Sequence, residues 1–473
     1  MSTTKFAVAG ATIASPWPLT FFGTRAQIGL LAVLGAYFLV WPLWRLGFPI
    51  EIDVNEGFNS YLADAAMGSG PLYPAADTLL LNNYPPLSFY LTGALARLSD
   101  IDALYIGRAL SLVAVIALGA LVGATVRLLG GGRAGAAVGG LWFVAVMARS
   151  YVRYVGMDDP QLFAQALMMA ALVWFLVSEK HGRTLVPAVL LMVVAGFFKH
   201  NIIAVPVTAL GFVALNDLRR AAWPAAAGAA AAALGLAACV AVWGDAFLAN
   251  FLTQRGHEWM RAAAAIGRAQ FLLPALLLWG VWIAAERKSA AARFTMLFVA
   301  VSFVAFVLQA AGDGVDDNAQ FDLVIATATG LGMAFDRAGA TRFGQRYGAV
   351  PAQAVVVVLV ALRLLATLRI EPALVLSDPA YRAQYAANAA VVRSDAARVA
   401  AISGPVACDA ALVCRLAGKP RAFDWFRVLT LAKRGAAAGL GVDGLIRAHG
   451  LTRVEADPRE GIAVLERSLA GTR

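Results

Sequence analysis

The chain has 473 residues, of which 60% are hydrophobic and only 14% are charged, and its net charge is +10. A soluble domain needs about a quarter of its residues charged, so this composition indicates a lipid environment and excludes an ordinary soluble enzyme. The positive charge does not indicate nucleic-acid binding, because the basic residues lie in short loops between apolar runs and form no patch. We interpret it as the bias that keeps loops in the cytoplasm.

Apolar runs occupy most of the chain after residues 1–26, which we interpret as a cytoplasmic tail. A helix needs about 20 apolar residues to cross the bilayer, and we predict about eleven spans in a membrane module at 27–368. The runs are 27–47, 104–128, 134–150, 160–178, 184–198, 202–215, 223–243, 270–285, 294–311, 319–335 and 348–368. The short fifth and sixth runs are counted as two separate spans, because merging them into one would place the last two basic loops on the opposite side of the membrane from the other basic loops.

Charge also predicts the orientation of these spans. Alternation brings the basic loops to one side, which we expect to be the cytoplasm. They carry Arg127, Arg133, Lys180, Arg183, Arg219, Arg220, Arg287, Lys288, Arg293, Arg337, Arg342 and Arg346. The periplasmic side then holds acidic residues and a long first loop, 48–103, which is rich in aromatic and apolar residues. We predict two short surface helices in this loop, divided by a turn at Pro85-Pro86.

The composition becomes that of a soluble domain after residue 369, and we predict a small periplasmic α/β domain at 369–473. Its expected elements are a helix at 380–400, a strand at GPVAC, a helix at DAALVCRLAG and a second strand at PRAFDW. The glycine-alanine tract near 435 is expected to be a flexible turn. Cys408 and Cys414 match no zinc spacing. A disulfide between them would fit an extracytoplasmic domain, but we favour two small buried thiols.

Two carboxylates, Asp53 and Glu56, follow the first span directly. A single carboxylate at a membrane surface means little. Two of them at the mouth of a structured loop suit general-base catalysis or metal binding.

The short loop 149–160, RSYVRYVGMDDP, combines arginines with Asp158 and Asp159. We expect one aspartate to cap the helix that Pro160 begins and the other to face a cavity. Arg153 could then bind an anion through its planar guanidinium.

Lys199 and His200 stand at the outer end of a span in GFFKHNIIAVP. This pair suits a phosphate, although an isolated lysine here would more often extend to water. The turn at 311–320, AGDGVDDNAQ, is interpreted as solvated, since it offers too few ligands for calcium. We predict no metal site, and a divalent cation remains compatible with the sequence.

Together these strings resemble the GT-C class of membrane glycosyltransferases, and within it bacterial proteins like glycosyltransferase family 39. That family includes protein mannosyltransferases and the lipid A aminoarabinose transferase. The resemblance is carried by DVNEGFNSYLADAAMGSGPLYP, NNYPPLSFYLTG, RYVGMDDPQLF, FFKHNIIAVP and GPVACDAALVCRLAGKPRAFDWF. It implies an all-α polytopic fold with a small C-terminal α/β domain in a bacterial inner membrane. It also implies inverting transfer of a sugar from a polyprenyl-phosphate donor to a lipid, glycan or protein acceptor on the periplasmic face.

The resemblance also implies roles for individual residues. Many relatives carry adjacent Asp-Glu where this chain has Asn55-Glu56, so the general base is Asp53 or Glu56. Lys199 matches a lysine that contacts the lipid phosphate in relatives. Expected beside these are Arg153 and His200 at the phosphate, and Asp158, Asp159, Asn83 and Tyr84 in supporting or substrate-binding positions.

Two other functions fit the sequence. A transporter is favoured by Lys199 between two short spans, although the acids cluster at outer helix ends and no internal repeat is evident. A non-catalytic lipid-binding or assembly protein on the same scaffold is favoured by the loss of the adjacent Asp-Glu.

Overall fold

The computed structural model describes residues 23–253, 255–433 and 439–454, and these are mainly helical. Most of the proposed cytoplasmic tail and the center of the glycine-alanine tract near 435 lie outside these ranges. The helices in chain order are α1 (Thr24–Arg45), α2 (Val54–Asp64), α3 (Leu87–Ser99), α4 (Ala103–Leu128), α5 (Arg133–Ser150), α6 (Pro160–Lys180), α7 (Val186–Phe198), α8 (Ala204–Ala214), α9 (Leu218–Phe251), α10 (Trp259–Arg268), α11 (Leu273–Glu286), α12 (Ala290–Ala310), α13 (Phe321–Asp336), α14 (Arg342–Tyr347), α15 (Ala349–Leu365), α16 (Glu371–Ser377), α17 (Pro379–Ala400), α18 (Ala411–Leu416), α19 (Trp425–Lys433) and α20 (Gly441–Ala448).

Each of the predicted membrane spans overlaps one of these helices. Within the described residues, six stretches are long and apolar enough to cross a membrane, namely α1, α4, α6, α9, Trp259–Glu286 and α12, and three shorter apolar helices are α7, α8 and α15. Helix α9 contains a break at Gly244, whose φ of 58° lies in the left-handed region that favours glycine. The all-α polytopic architecture predicted from the sequence is confirmed.

Small residues allow the central helices of the bundle to approach closely. Helices α4 and α5 meet at Gly119 and Gly140, where an added Cβ on Gly140 would lie 2.3 Å from the Gly119 carbonyl oxygen. Helices α5 and α13 meet at Gly135 and Gly332 in the same way, at 2.4 Å. Close backbone packing of this kind is typical of membrane helices, where apolar burial alone gives little association energy. It leaves α13 buried almost throughout.

The first long loop, predicted to hold two short helices, contains α2 and α3, and α3 begins directly after Pro86. Helix α2 packs against the C-terminal part of the chain. There Gly57 has no room for a side chain, since a Cβ would lie 2.3 Å from the Leu412 backbone nitrogen. The Glu51 carboxylate accepts hydrogen bonds from the backbone N–H groups of Gly57 and Leu412, at 3.1 and 3.3 Å. These contacts fix the C-terminal domain on the first loop.

The C-terminal domain corrects one predicted strand. Strand β1 (Val406–Cys408) lies at GPVAC as expected, but it pairs in parallel with β2 (Thr452–Val454). The predicted strand at PRAFDW has irregular structure before α19. Its Arg421 donates to the Leu81 carbonyl of the first loop at 2.6 Å and lies over the Phe58 ring, so this segment bonds to another part of the chain instead of forming a sheet.

The expectation of two buried thiols is also wrong, because Cys408 and Cys414 form a disulfide. The turn between β1 and α18 brings their Cα atoms to 6.0 Å, within the range that a disulfide requires. Cys239 is a buried free cysteine.

Contacts join neighbouring basic loops to one another, while the side of the membrane on which these loops lie stays a prediction. At one end Arg337 donates to the Gly130 carbonyl at 3.2 Å, and Arg220 pairs with Glu179 at 2.8 Å. The first loop and the C-terminal domain occupy the other end.

This arrangement generates a prediction about topology. A phosphatase reporter that is active only in the periplasm should be active when fused after residue 473 and inactive when fused after Arg219, because the basic loops are retained in the cytoplasm. Whole-cell reporter activity, normalised to protein level, measures this. The opposite pattern would reverse the orientation of every group described below.

Candidate functional site

Glu56 is fully buried in an ion pair with Arg108. The Arg108 guanidinium donates to both Glu56 carboxylate oxygens, at 2.8 and 2.7 Å. The backbone N–H groups of Ile52 and Asp158 donate to the same two oxygens, at 2.6 and 3.0 Å. This carboxylate is therefore surrounded by donors and has no exposed oxygen to offer an acceptor hydroxyl.

Arg108 also holds the end of α1 against α4. Its remaining N–H groups donate to three alternate backbone carbonyls of the segment after α1, those of Leu46, Phe48 and Ile50. An arginine with all of its donors used in this way anchors backbone as well as charge.

Asp53 has a different environment, although it lies near Glu56 in sequence. It caps the N-terminus of α2, accepting from the Asn55 backbone N–H at 3.1 Å and from the Asn55 side-chain amide at 2.8 Å. Its other oxygen is 3.2 Å from Arg153, and the residue lines an open cavity. Burial raises the pKa of Asp53, while the Asn55 hydrogen bond and the Arg153 charge oppose this increase. A carboxylate with a raised pKa at a cavity wall has the properties of a general base.

Arg153 connects Asp53 to the turn at 311–320. It donates to both carboxylate oxygens of Asp316, at 3.1 and 3.0 Å, and lies 3.8 Å from Asp317. Tyr154 donates to the same Asp316 carboxylate at 3.1 Å. This turn, which was interpreted from the sequence as solvated, stays partly exposed at Asp316 and Asp317, and its acids share one guanidinium with Asp53.

The adjacent aspartates divide their roles only partly as expected. Asp159 caps α6 through the Gln161 backbone N–H at 2.8 Å. Asp158 does not face an open cavity, because its side chain is buried, accepts from Ser60 at 2.8 Å and lies against the Cα of Gly107. Burial raises the pKa of Asp158 well above its usual range, which favours its neutral form.

Lys199 is buried rather than extended to water. Its ammonium lies 3.6 Å from the centre of the Tyr84 ring and 3.7 Å from Asp159. Within the described part of the chain, this ammonium has no hydrogen-bond partner. An ammonium has three N–H donors, so Lys199 has donor capacity available for a ligand.

His200 lines an apolar groove instead of a polar surface. Its ring packs on Phe251 at 5.2 Å, and burial together with the Lys199 charge lowers its pKa to about 4. His200 is therefore neutral near pH 7 and adds no positive charge.

The polar cavity beside Asp53 has a volume of about 440 Å³ and is enclosed by the first loop, the 314–316 turn and the C-terminal domain. Asn83 and Tyr84 line it, as do two arginines that the sequence analysis did not single out. Arg255 donates to the Asp313 carbonyl at 3.0 Å, and Arg421 is the residue of PRAFDW described above. The cavity thus places two arginines among four carboxylates, those of Asp53, Asp316, Asp409 and Asp424, and Arg421 lies 3.5 Å from Asp424.

An apolar groove of about 200 Å³ lies next to this cavity, between α7 and α9. Its lining consists of Pro85, Val193, Gly196, Phe197, His200, Ala232, Leu236, Phe247 and Phe251. Tyr84 belongs to the cavity and Pro85 to the groove, so one peptide step separates the two. The buried Lys199 ammonium lies behind this step, against the Tyr84 ring, and does not itself line the cavity or the groove.

Among the residues that the structure describes, no group of three or more His, Cys, Asp or Glu side chains is arranged to hold a metal ion. The acids nearest Asp53 are bridged by Arg153 instead.

The fold is similar to that of known membrane enzymes. The structure of ArnT from Cupriavidus metallidurans in the apo state matches with a TM-score of 0.55 and 15% sequence identity, over 83% of this chain and 85% of ArnT. The structure of ArnT from the same organism bound to undecaprenyl phosphate matches with a TM-score of 0.56 and 12% identity, over 91% of this chain and 89% of ArnT. No protein-family model and no curated protein sequence matches the chain. The similarity confirms the GT-C-like fold that the sequence predicted.

The contrast between Glu56 and Asp53 predicts different effects on stability. Glu56→Gln leaves Arg108 as a buried, uncompensated charge and should destabilise the protein by about 3–5 kcal/mol. Asp53→Asn should leave stability nearly unchanged, because asparagine caps a helix as well as aspartate does. Thermal unfolding of the purified variants in detergent measures both.

A double variant, Glu56→Gln with Arg108→Met, provides the control. It removes both charges and should recover part of the loss, since no unpaired ion remains buried. A Glu56→Gln protein as stable as wild type would show that the pair does not anchor the loop.

Proposed function

We propose that this protein is an inverting glycosyltransferase that transfers a sugar from a polyprenyl-phosphate donor to an acceptor hydroxyl on the periplasmic face of a bacterial inner membrane. One observation carries the proposal: a cavity lined by Asp53 and by two arginines adjoins an apolar groove, and the buried Lys199 ammonium, which contacts Tyr84 of the cavity wall, has no hydrogen-bond partner among the described residues. A lipid-linked sugar phosphate has the matching parts, which are an apolar chain, a phosphate and a polar sugar. The fold shared with ArnT, which has been crystallised with undecaprenyl phosphate, supports the same donor class.

Asp53 is the general base in this mechanism. As the acceptor oxygen forms its bond to the anomeric carbon, its proton passes to the Asp53 carboxylate, and the bond from that carbon to the phosphate oxygen breaks. The bonding electrons leave with the polyprenyl phosphate. Attack opposite to the leaving group inverts the anomeric centre. Glu56 supports this step from a distance, by fixing the start of α2 on which Asp53 lies.

Lys199 is the proposed first ligand of the donor phosphate. A polyprenyl chain in the groove between α7 and α9 would bring its phosphate to the Tyr84-Pro85 step, where the Lys199 ammonium lies. Arg255 and Arg421 then face the phosphate from the cavity side. Preorganised cations of this kind stabilise the charge that develops on a leaving phosphate.

The other predicted residues take supporting roles. Arg153 positions Asp53 and keeps its carboxylate ionised, while Asp159 lies beside Lys199 and fixes the position of its ammonium.

Asn83 and Tyr84 contact the donor as part of the cavity wall, and His200 contacts the lipid chain as a neutral ring. Asp158 packs the loop that Glu56 holds.

We also propose that the cavity and residues 369–473 are periplasmic. The charge distribution supports this orientation. The Cys408–Cys414 bond supports it as well, since disulfides persist in oxidising compartments such as the periplasm.

The base assignment predicts the effect of Asp53→Asn on transfer. Purified protein given a radiolabelled polyprenyl-phosphate sugar should transfer it to an acceptor extract, and Asp53→Asn should reduce kcat by about 10²- to 10⁴-fold. Full activity of this variant, at matched protein and lipid, would remove Asp53 from the mechanism. A wild-type protein that transfers no sugar, but binds the donor and moves it across the membrane of a vesicle, would favour a transporter.

The pH profile tests the link between Arg153 and Asp53. A base must be deprotonated, so the rate should fall on the acid side as pH drops through the Asp53 pKa, which burial raises above 3.8. Arg153 opposes that increase, and Arg153→Gln should therefore move the acid limb of kcat/KM to higher pH. The control Arg342→Gln, at the opposite end of the bundle, should leave the limb in place. An unshifted limb in Arg153→Gln would mean that Asp53 is not the titrating group.

The phosphate assignment predicts how Lys199→Ala changes the kinetics. The contact should strengthen as the phosphate gains charge, so kcat should fall by about 10²-fold while KM for the donor rises. Lys199→Arg should recover only part of this, since a planar fork does not reproduce a compact ammonium. Lys180→Ala, an exposed lysine at the other end of the bundle, is the control. A raised KM with unchanged kcat would reduce Lys199 to a docking contact.

A further inference from the structure

A second and larger cavity, of about 580 Å³, opens at the same end of the bundle as the proposed active site. It lies where the ends of α5 and α15 meet the junction of α10 with α11 and the start of α13. Its lining includes Arg149, Arg268, Arg363, Arg369, Asp317 and Glu371. Nothing in the transfer mechanism above uses this cavity.

The charges around the cavity are unbalanced. Four arginines and two acids give a formal excess of two positive charges (4 − 2). Arg369 pairs with Glu371 at 2.8 Å and Arg268 with Asp317 at 3.3 Å, which uses both acids.

The other two guanidinium groups, those of Arg149 and Arg363, pair with no carboxylate in the part of the chain that the structure describes. Arg149 donates to the backbone carbonyls of Leu364 and Thr367, at 3.2 and 2.9 Å. Arg363 makes no hydrogen bond or ion pair within residues 23–253, 255–433 and 439–454. Cationic groups that gather around a cavity without counter-charges repel one another, and an anion between them would relieve this repulsion.

The rim of the cavity is apolar on one side. Leu368 and Ile370 line it and are 47% and 42% exposed. Leu362 and Leu365 continue this exposed strip down α15. Because α15 is an apolar helix of the membrane module, the strip faces the acyl chains of the surrounding lipid.

We propose that this cavity binds the phosphate-bearing head group of an anionic lipid, whose acyl chains lie along the exposed face of α15. Guanidinium groups bind phosphate oxygens through paired hydrogen bonds, and the excess of two charges matches a head group with two phosphates. This lipid site is distinct from the donor cavity. Asp317 lines the lipid site and Asp53 lines the donor cavity, and Arg153 lies between the two acids and contacts both. Binding here does not depend on the proposed transfer reaction.

The test measures lipid binding to the full-length protein in neutral detergent by native mass spectrometry, with cardiolipin as the probe and phosphatidylcholine as the neutral comparison. Wild type should prefer cardiolipin. The double variant Arg268→Gln/Arg363→Gln should bind it about tenfold more weakly, through loss of two charge-assisted contacts. These two residues are chosen because the Arg268 side chain is 56% exposed and Arg363 makes no hydrogen bond or ion pair with the described residues. Arg342→Gln/Arg393→Gln removes the same charge elsewhere and should bind as wild type does.

Two further measurements test the same site, one with a single variant and one with a competing ligand. Gln270→Glu adds a carboxylate inside the cavity without removing a cation, and it should also weaken cardiolipin binding. This single variant provides the measurement if the double variant does not fold. Inorganic phosphate should displace cardiolipin only at a large molar excess, because it lacks the acyl chains. Wild-type cardiolipin affinity in both cavity variants, or displacement by equimolar inorganic phosphate, would overturn the assignment of a lipid head-group site.

Discussion

The buried ion pair between Glu56 and Arg108 is the contact on which the outer face of this protein depends. It joins the segment after α1, the start of α2, the second turn of α4 and the backbone at Asp158. Because Asp53 caps the same helix that Glu56 anchors, the pair determines where the Asp53 carboxylate lies. A charge pair buried this completely is costly to break on one side only, so it behaves as a fixed support for a more exposed and reactive neighbour.

Three distant parts of the chain complete the cavity around Asp53. The first loop, the segment around Arg255 and the C-terminal domain each supply one wall. The absence of a side chain at Gly57 and the shared acceptor Glu51 hold the C-terminal domain against the loop. The cavity stays open, but its walls bury Asp53 in part, and this partial burial strengthens the electrostatic effect of the charged groups around that carboxylate. It also leaves the groove between α7 and α9 as the apolar approach for a lipid chain.

The sequence predicted the helices and the segregation of basic loops, because both follow from local composition that lipid imposes on every span. It could not separate Asp53 from Glu56, since the difference rests on an arginine that is close only in the folded chain. A signal did exist, because Arg108 lies inside an apolar run, where a charge requires a partner.

No comparable local signal pointed to Arg255, to Arg421 or to the role of the 311–320 turn, because these depend on contacts between distant segments. The error at PRAFDW has the same origin, because its arginine bonds to the first loop.

The central claim is that the boundary between groove and cavity holds the donor phosphate in front of Asp53. A structure of the full-length protein with a bound polyprenyl phosphate, determined by cryo-electron microscopy in a lipid nanodisc, tests this most directly. We expect density for the phosphate within hydrogen-bond distance of the Lys199 ammonium, with the isoprenoid chain between α7 and α9 and the open side of the phosphate facing Asp53. A phosphate bound away from Lys199, with the cavity beside Asp53 unoccupied, would contradict this claim.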